Sequence, residues 1–164
     1  MSIFSELGVR EGKDRLKEEV LYNLAACYAH TERRMAQALA RFNLSTVKMN
    51  ALMIVKHVGN HEGISQVDLA KKMIVSAGNI TRLIDRLEKE SLVTRVSKPG
   101  DRRVKVLKIT KKGSDLMDKV WPIHKREVNG IVSMMPEKDI QNTRNILNNF
   151  REQLSQSAEE ETNP

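Results

Sequence analysis

The sequence predicts a mainly α-helical chain with one small β-hairpin. Three observations predict it. Apolar residues recur at three-, four- and seven-residue steps through most of the 164 residues. Between residues 92 and 110 that period gives way to two short β-branched runs around a Pro-Gly pair. The basic charge is concentrated beside them. Residues 65–112 carry thirteen cations and five anions, a net of +8 in a chain whose total is +7. A nearly neutral frame holding one basic block suits a module that binds a polyanion.

The first long segment spans about 14–42. Leu16, Val20, Leu24, Tyr28, Met35, Leu39 and Phe42 form one stripe on a long helix. Ser45 then stands as the N-cap of a second helix, with Val47, Ala51, Leu52, Ile54, Val55 and Val58 facing inward. Gly59 and Asn60 end it. Ser65 and Asp68 fit a capping box opening a short helix that buries Val67, Leu69, Ala70 and Met73. Ser76 caps again, and the next helix, about 76–90, buries Ile80, Leu83, Ile84 and Leu87. Two short helices joined by a tight turn make a helix-turn-helix.

Strands are expected over 92–96 and 104–110, joined by the turn "SKPGD". Val106 and Leu107 are adjacent apolar residues and must face opposite sides of the second strand. A hairpin directly after a helix-turn-helix makes it a winged helix-turn-helix. Thr110 caps a helix over 111–132, which Pro122 should bend or interrupt. A last helix starts near Pro136-Glu137. Its Ile140, Thr143, Leu147, Phe150 and Leu154 form a narrow seam of coiled-coil type. The expected organisation is a dimerisation helix in 1–44, the winged helix-turn-helix in 45–112 and further dimerisation helices in 113–155. A flexible polar tail follows in 156–164.

The expected partner is double-stranded DNA. On the recognition helix Ser76, Ala77, Gly78 and Asn79 form the N-terminal turn, whose spare amides can face phosphate or base edges. Thr81, Arg82 and Arg86 avoid the buried stripe. Arg82 can pair with guanine or with phosphate, and Arg86 can contact DNA or form an ion pair with Asp85, Glu90 or a wing residue. In the wing, Arg103 is expected to enter a minor groove, where a planar guanidinium meets concentrated negative potential. Asp101 is expected to pair with its side chain. Arg102 is a phosphate or groove-edge contact, and Lys98 and Lys105 line the backbone.

The stretch "ISQVDLAKKMIVSAGNITRLIDRLEKESLVTRVSKPGDRRVKVLKITKKG", residues 64–113, closely resembles the winged-helix core of the MarR family of bacterial transcription regulators. The likeness lies in "QVDLA", "TRLIDRLE", the following "LV", the wing "DRR" and the closing "ITKKG". The resemblance implies a homodimer that binds a pseudo-palindromic operator, usually to repress. It also implies release by a small-molecule effector or by oxidation.

The sensing residues are less sharply marked. Tyr22, Tyr28 and Trp121 are candidates for a ligand cleft, although a lone tryptophan on an amphipathic helix is more often core. Cys27 has no adjacent cation to activate it and reads as a small hydrophobe in the dimer interface. His57 and His61 are four apart, but Gly59 and Asn60 break the helix between them, so no metal site is expected. No cofactor motif is present: G-x-S-x-G, the P-loop, H-E-x-x-H and G-x-G-x-x-G are all missing, so an enzyme is not expected. One cysteine, no long apolar run and no secretory start favour a cytoplasmic protein with no membrane partner. The competing expectation is a winged-helix protein-interaction module or a non-specific nucleic-acid binder.

Overall fold

The computed structural model describes residues 2–8, 15–59, 62–73, 80–98 and 100–162, the side chains of 102 and 158–162 excepted. The described elements run α1 (Ile3–Glu6), α2 (Leu16–Ala40), α3 (Thr46–His57), α4 (Gln66–Lys72), α5 (Ile80–Lys89), β1 (Val93–Lys98), β2 (Asp101–Ile109), α6 (Lys111–Val132) and α7 (Glu137–Thr162). The chain divides into two compact units, Met1–Lys125 and Arg126–Pro164.

Local chemistry fixes the starts of the helices in the first unit. Ser45 Oγ accepts from the Lys48 amide at 3.2 Å and caps α3. Ser65 Oγ accepts from the Asp68 amide at 3.0 Å and caps α4. The same hydroxyl donates to Asp68 Oδ2 at 2.6 Å, tying side chain to side chain. Thr110 Oγ1 accepts from the Gly113 amide at 3.0 Å at the start of α6.

The core is assembled from every layer of this unit. Leu39 of α2, Leu52 and Val55 of α3, Leu69 of α4, and Ile84 and Leu87 of α5 are fully buried. Val93 of β1 and Met117 and Val120 of α6 join them. Each such side chain contributes about 1.5–3 kcal/mol by leaving water. Two expected inward positions on α4, Val67 and Ala70, are exposed instead, as is Val58 after α3. A helix of seven residues turns only a narrow face to the core, and on α4 Leu69 takes it.

The hairpin extends further toward its tip than expected. Val93 pairs with Ile109 and the register holds to Ser97 with Lys105; it then shifts, and Lys98 pairs with Asp101. The strands thereby run into the expected five-residue turn at both of its ends, and Gly100 stands at φ +83°. Val106 and Leu107 are both buried, on opposite faces. Leu107 joins the core and exchanges backbone hydrogen bonds with Ile64, at 3.0 and 2.8 Å. Val106 lies under Gly63, where an added Cβ would stand 2.8 Å from its Cγ2.

Two further departures concern α6 and the N-terminus. Pro122 does not interrupt α6, which runs unbroken from Lys111 to Val132. The proline is exposed, and Met117 and Val120 anchor the turn before it in the core. The short helix α1 was not expected. Ser2 caps it, Ile3 and Phe4 are buried, and the Phe4 ring meets Tyr22 edge-on at 5.8 Å. In the second unit α7 begins where Pro136 places it but continues to Thr162, past the expected end near residue 155.

Candidate nucleic-acid interface

Helix α5 sorts its side chains into three rows. Ile80, Leu83, Ile84 and Leu87 face the core. At 3.6 residues per turn, Thr81, Asp85 and Glu88 make a second row, and Arg82, Arg86 and Lys89 a third on the side away from the core.

The second row is fully engaged. Gln66 Nε2 of α4 donates to Thr81 Oγ1 at 2.7 Å. Arg95 of β1 reaches Asp85 Oδ1 with Nη2 at 2.6 Å, and its backbone amide donates to Glu88 Oε1 at 3.1 Å. Its Nη1 pairs with Glu88 Oε2. The hydrogen bond to Asp85, with Glu88 beside it, raises the Arg95 pKa above the ordinary arginine value.

The third row is cationic and exposed, and none of its three side chains has a hydrogen bond or ion pair among the described residues. The expected ion pair of Arg86 with Asp85, Glu90 or a wing residue is therefore not formed among the described residues. Arg95 holds Asp85, and Lys48 of α3 holds Glu90 at 2.5 Å. Lys89 was missed as a site residue. Its signal was the four- and three-residue steps that put it in line with Arg82 and Arg86.

In the wing, Lys98, Asp101 and Arg103 are exposed. Asp101 does not pair with the Arg103 guanidinium as expected. Its Oδ1 accepts from the Arg103 backbone amide at 2.9 Å, which closes the tip and leaves the side chain without an ion pair among the described residues. Lys105 Nζ donates to Ser97 Oγ at 2.8 Å across the hairpin. Ser76, Ala77, Gly78, Asn79 and the side chain of Arg102 lie outside the described residues.

The candidate sensing residues are dispersed. Tyr22 rests on Phe4, and Tyr28 lines a shallow groove along α2 with Ala29, Glu32, Arg33 and Ala36. Trp121 stacks on His124, with centroids 5.2 Å apart at 16°, and has the His57 ring at 5.9 Å and the Lys125 ammonium at 6.0 Å. No ring contact joins Trp121 to either tyrosine among the described residues. Burial lowers the His124 pKa below the ordinary histidine value. Cys27 is exposed on α2, not buried as expected above. His61 lies outside the described residues.

A helix pair, a hairpin braced against the second helix, and one row of cations without partners among the described residues make up a winged helix-turn-helix with a basic outer face. The MarR family model matches residues 47–105. MhqR, an HTH-type transcriptional regulator of Bacillus subtilis, is 27% identical over 118 residues, covering 72% of this chain and 79% of that protein. A mutant MarR from E. coli, solved in complex with operator DNA, superposes with a TM-score of 0.72 at 18% identity, over 85% of this chain and 99% of that one. CouR from Rhodococcus jostii, solved with p-coumaroyl-CoA bound, gives 0.69 at 23% identity, over 82% and 93%. Residues 47–105 thus match the MarR family of regulators, and the fold is that of MarR-type winged-helix proteins. No helix among the described residues is long and apolar enough to cross a membrane.

Proposed function

We propose that this chain represses transcription as a homodimer on a pseudo-palindromic operator and is released by a small ligand. The observation that carries the proposal is the row Arg82, Arg86 and Lys89, without partners among the described residues, together with an exposed Arg103 in the wing. In this scheme α5 enters a major groove with residues 76–79 leading. Arg82 meets a base or phosphate, and Arg86 and Lys89 meet phosphates. The wing lies over the flanking minor groove, with Arg103 inserted and Arg102, Lys98 and Lys105 along its edge.

Self-association is supported by apolar side chains left open to water. On α2 these are Leu16, Val20, Leu21, Leu24 and Tyr28; on α7 they are Ile146, Leu147 and Leu154. Residues 1–44 and 113–155 would supply the dimer contacts and 45–112 the DNA contacts. Two-fold symmetry would then set the two α5 helices about 34 Å apart, one turn of DNA. CouR, solved with an acyl-CoA bound, supports release by a small molecule. The setting would be the bacterial cytoplasm.

Electrophoretic mobility shift on the DNA upstream of the protein's own gene tests this, with bulk competitor DNA present and sedimentation run alongside. A competitor-resistant shift by a dimer, weakened in Arg103→Ala, is expected. A shift abolished by competitor, equal in wild type and variant, would point to non-specific binding.

A further inference from the structure

We infer that Arg95 is a positioning residue: by holding Asp85 and Glu88 it keeps Arg82 and Arg86 available to DNA. The inference rests on the proposed role of α5 and adds a residue that does not itself touch the nucleic acid.

The carboxylates of Asp85 and Glu88 lie on the helix that carries Arg82, Arg86 and Lys89. Asp85 is three residues after Arg82 and four before Lys89, the two spacings at which opposite charges on a helix surface meet. Glu88 is next to Lys89 and two residues from Arg86. An unrestrained Asp85 would compete with phosphate for Arg82, and both acids would repel the DNA backbone. Neither is unrestrained. Arg95 holds Asp85 Oδ1 at 2.6 Å through Nη2, and holds Glu88 through Nη1 and through its own backbone amide at 3.1 Å. One strand residue thus engages both acids and turns them toward the hairpin. The partition is complete among the described residues: the acids of α5 are bonded to β1, and its outward cations are bonded to nothing.

The bond to the backbone amide adds a second consequence. Arg95 sits in β1, whose partner strand carries Arg103. The clamp therefore also sets the hairpin against α5, and the helix and the wing are presented as one unit.

The test uses the full-length chain and a short duplex recovered from random-sequence DNA by selection with the wild-type protein. Binding is followed by fluorescence anisotropy and folding by thermal melting. Arg82→Ala should weaken binding roughly tenfold, which checks the role of α5 independently. Arg95→Gln should weaken binding by a similar factor, and Asp85→Asn placed in that background should restore most of it. A merely structural Arg95 would give no recovery in the double variant, and that result overturns the inference. So does an Arg95→Gln variant that binds as wild type while Arg82→Ala is impaired. If Arg82→Ala is itself without effect, the proposed role of α5 fails first, and the two failures are distinguishable. Should Arg95→Gln not fold, Arg95→Lys replaces it, because a single ammonium can keep Glu88 but not both acids. Weaker binding rescued by Asp85→Asn then supports the inference, and unchanged binding overturns it.

Discussion

Asp101 Oδ1 accepts a hydrogen bond from the Arg103 backbone amide at 2.9 Å, two residues along the wing tip. This side-chain-to-backbone bond fixes the turn without engaging the guanidinium. The acceptor is an oxygen, and its charge is incidental to the bond. Asp101→Asn, which keeps a carbonyl oxygen in place, should therefore retain the wild-type preference for the selected DNA. Asp101→Ala should lose severalfold in affinity with little change in melting temperature. Anisotropy titrations of the two variants measure the difference.

The row Arg82, Arg86 and Lys89 should show itself in salt dependence. Each phosphate contact releases counterions, so removing one should lower the slope of log affinity against log salt by about 1. Arg86→Ala and Lys89→Ala are expected to do this on any duplex. Arg82→Ala should lose selectivity as well if its guanidinium reads a base edge. Titrations at several salt concentrations on selected and scrambled duplexes separate these outcomes.

His124 should make the protein less stable in mild acid. Burial depresses its folded pKa below the ordinary value of about 6.5, which the unfolded chain retains. The unfolded chain thus takes up the proton first as the pH falls. The stabilising contribution is complete above about pH 6.5 and is lost as the pH falls through the lower, folded value. Wild-type melting temperature should drop across that window more than that of His124→Gln. Trp121, the sole tryptophan, stacks on His124 and should be quenched as the imidazole gains its proton. His57→Gln, which removes the other nearby imidazole, assigns the midpoint.

Gly113 should be intolerant of any side chain. A Cβ there would lie 2.1 Å from the Leu92 carbonyl oxygen and 2.9 Å from the Ile109 side chain. The approach lets the start of α6 lie directly against the open end of the hairpin. Gly113→Ala should cost about 3 kcal/mol, read as a shift in the denaturant midpoint.

The sequence was most informative where the determinants are local. Ser45, Ser65 and Thr110 each cap a helix through an amide within three residues, so four letters suffice to place them. The core face of α5 follows from spacing alone. Contacts between distant segments left no such mark. Nothing near Arg95 shows that β1 will bring it to Asp85 and Glu88. It therefore reads as one more cation of the basic block, and Arg86 reads as the partner of an acid that is already taken. Phe4 similarly depends on Tyr22 and Arg15, which only the fold brings to it. The strand ends were misjudged because the Pro-Gly signal marks a turn without setting its register, which shifts after Ser97.

Hydroxyl-radical footprinting of the wild-type protein on its selected duplex tests most directly whether two α5 helices and two wings read one site together. Two protected tracts centred about one helical turn apart are expected, each flanked by a minor-groove protection that disappears in Arg103→Ala. A single protected tract, or a flank that persists unchanged in that variant, would contradict the paired arrangement and the role given to the wing.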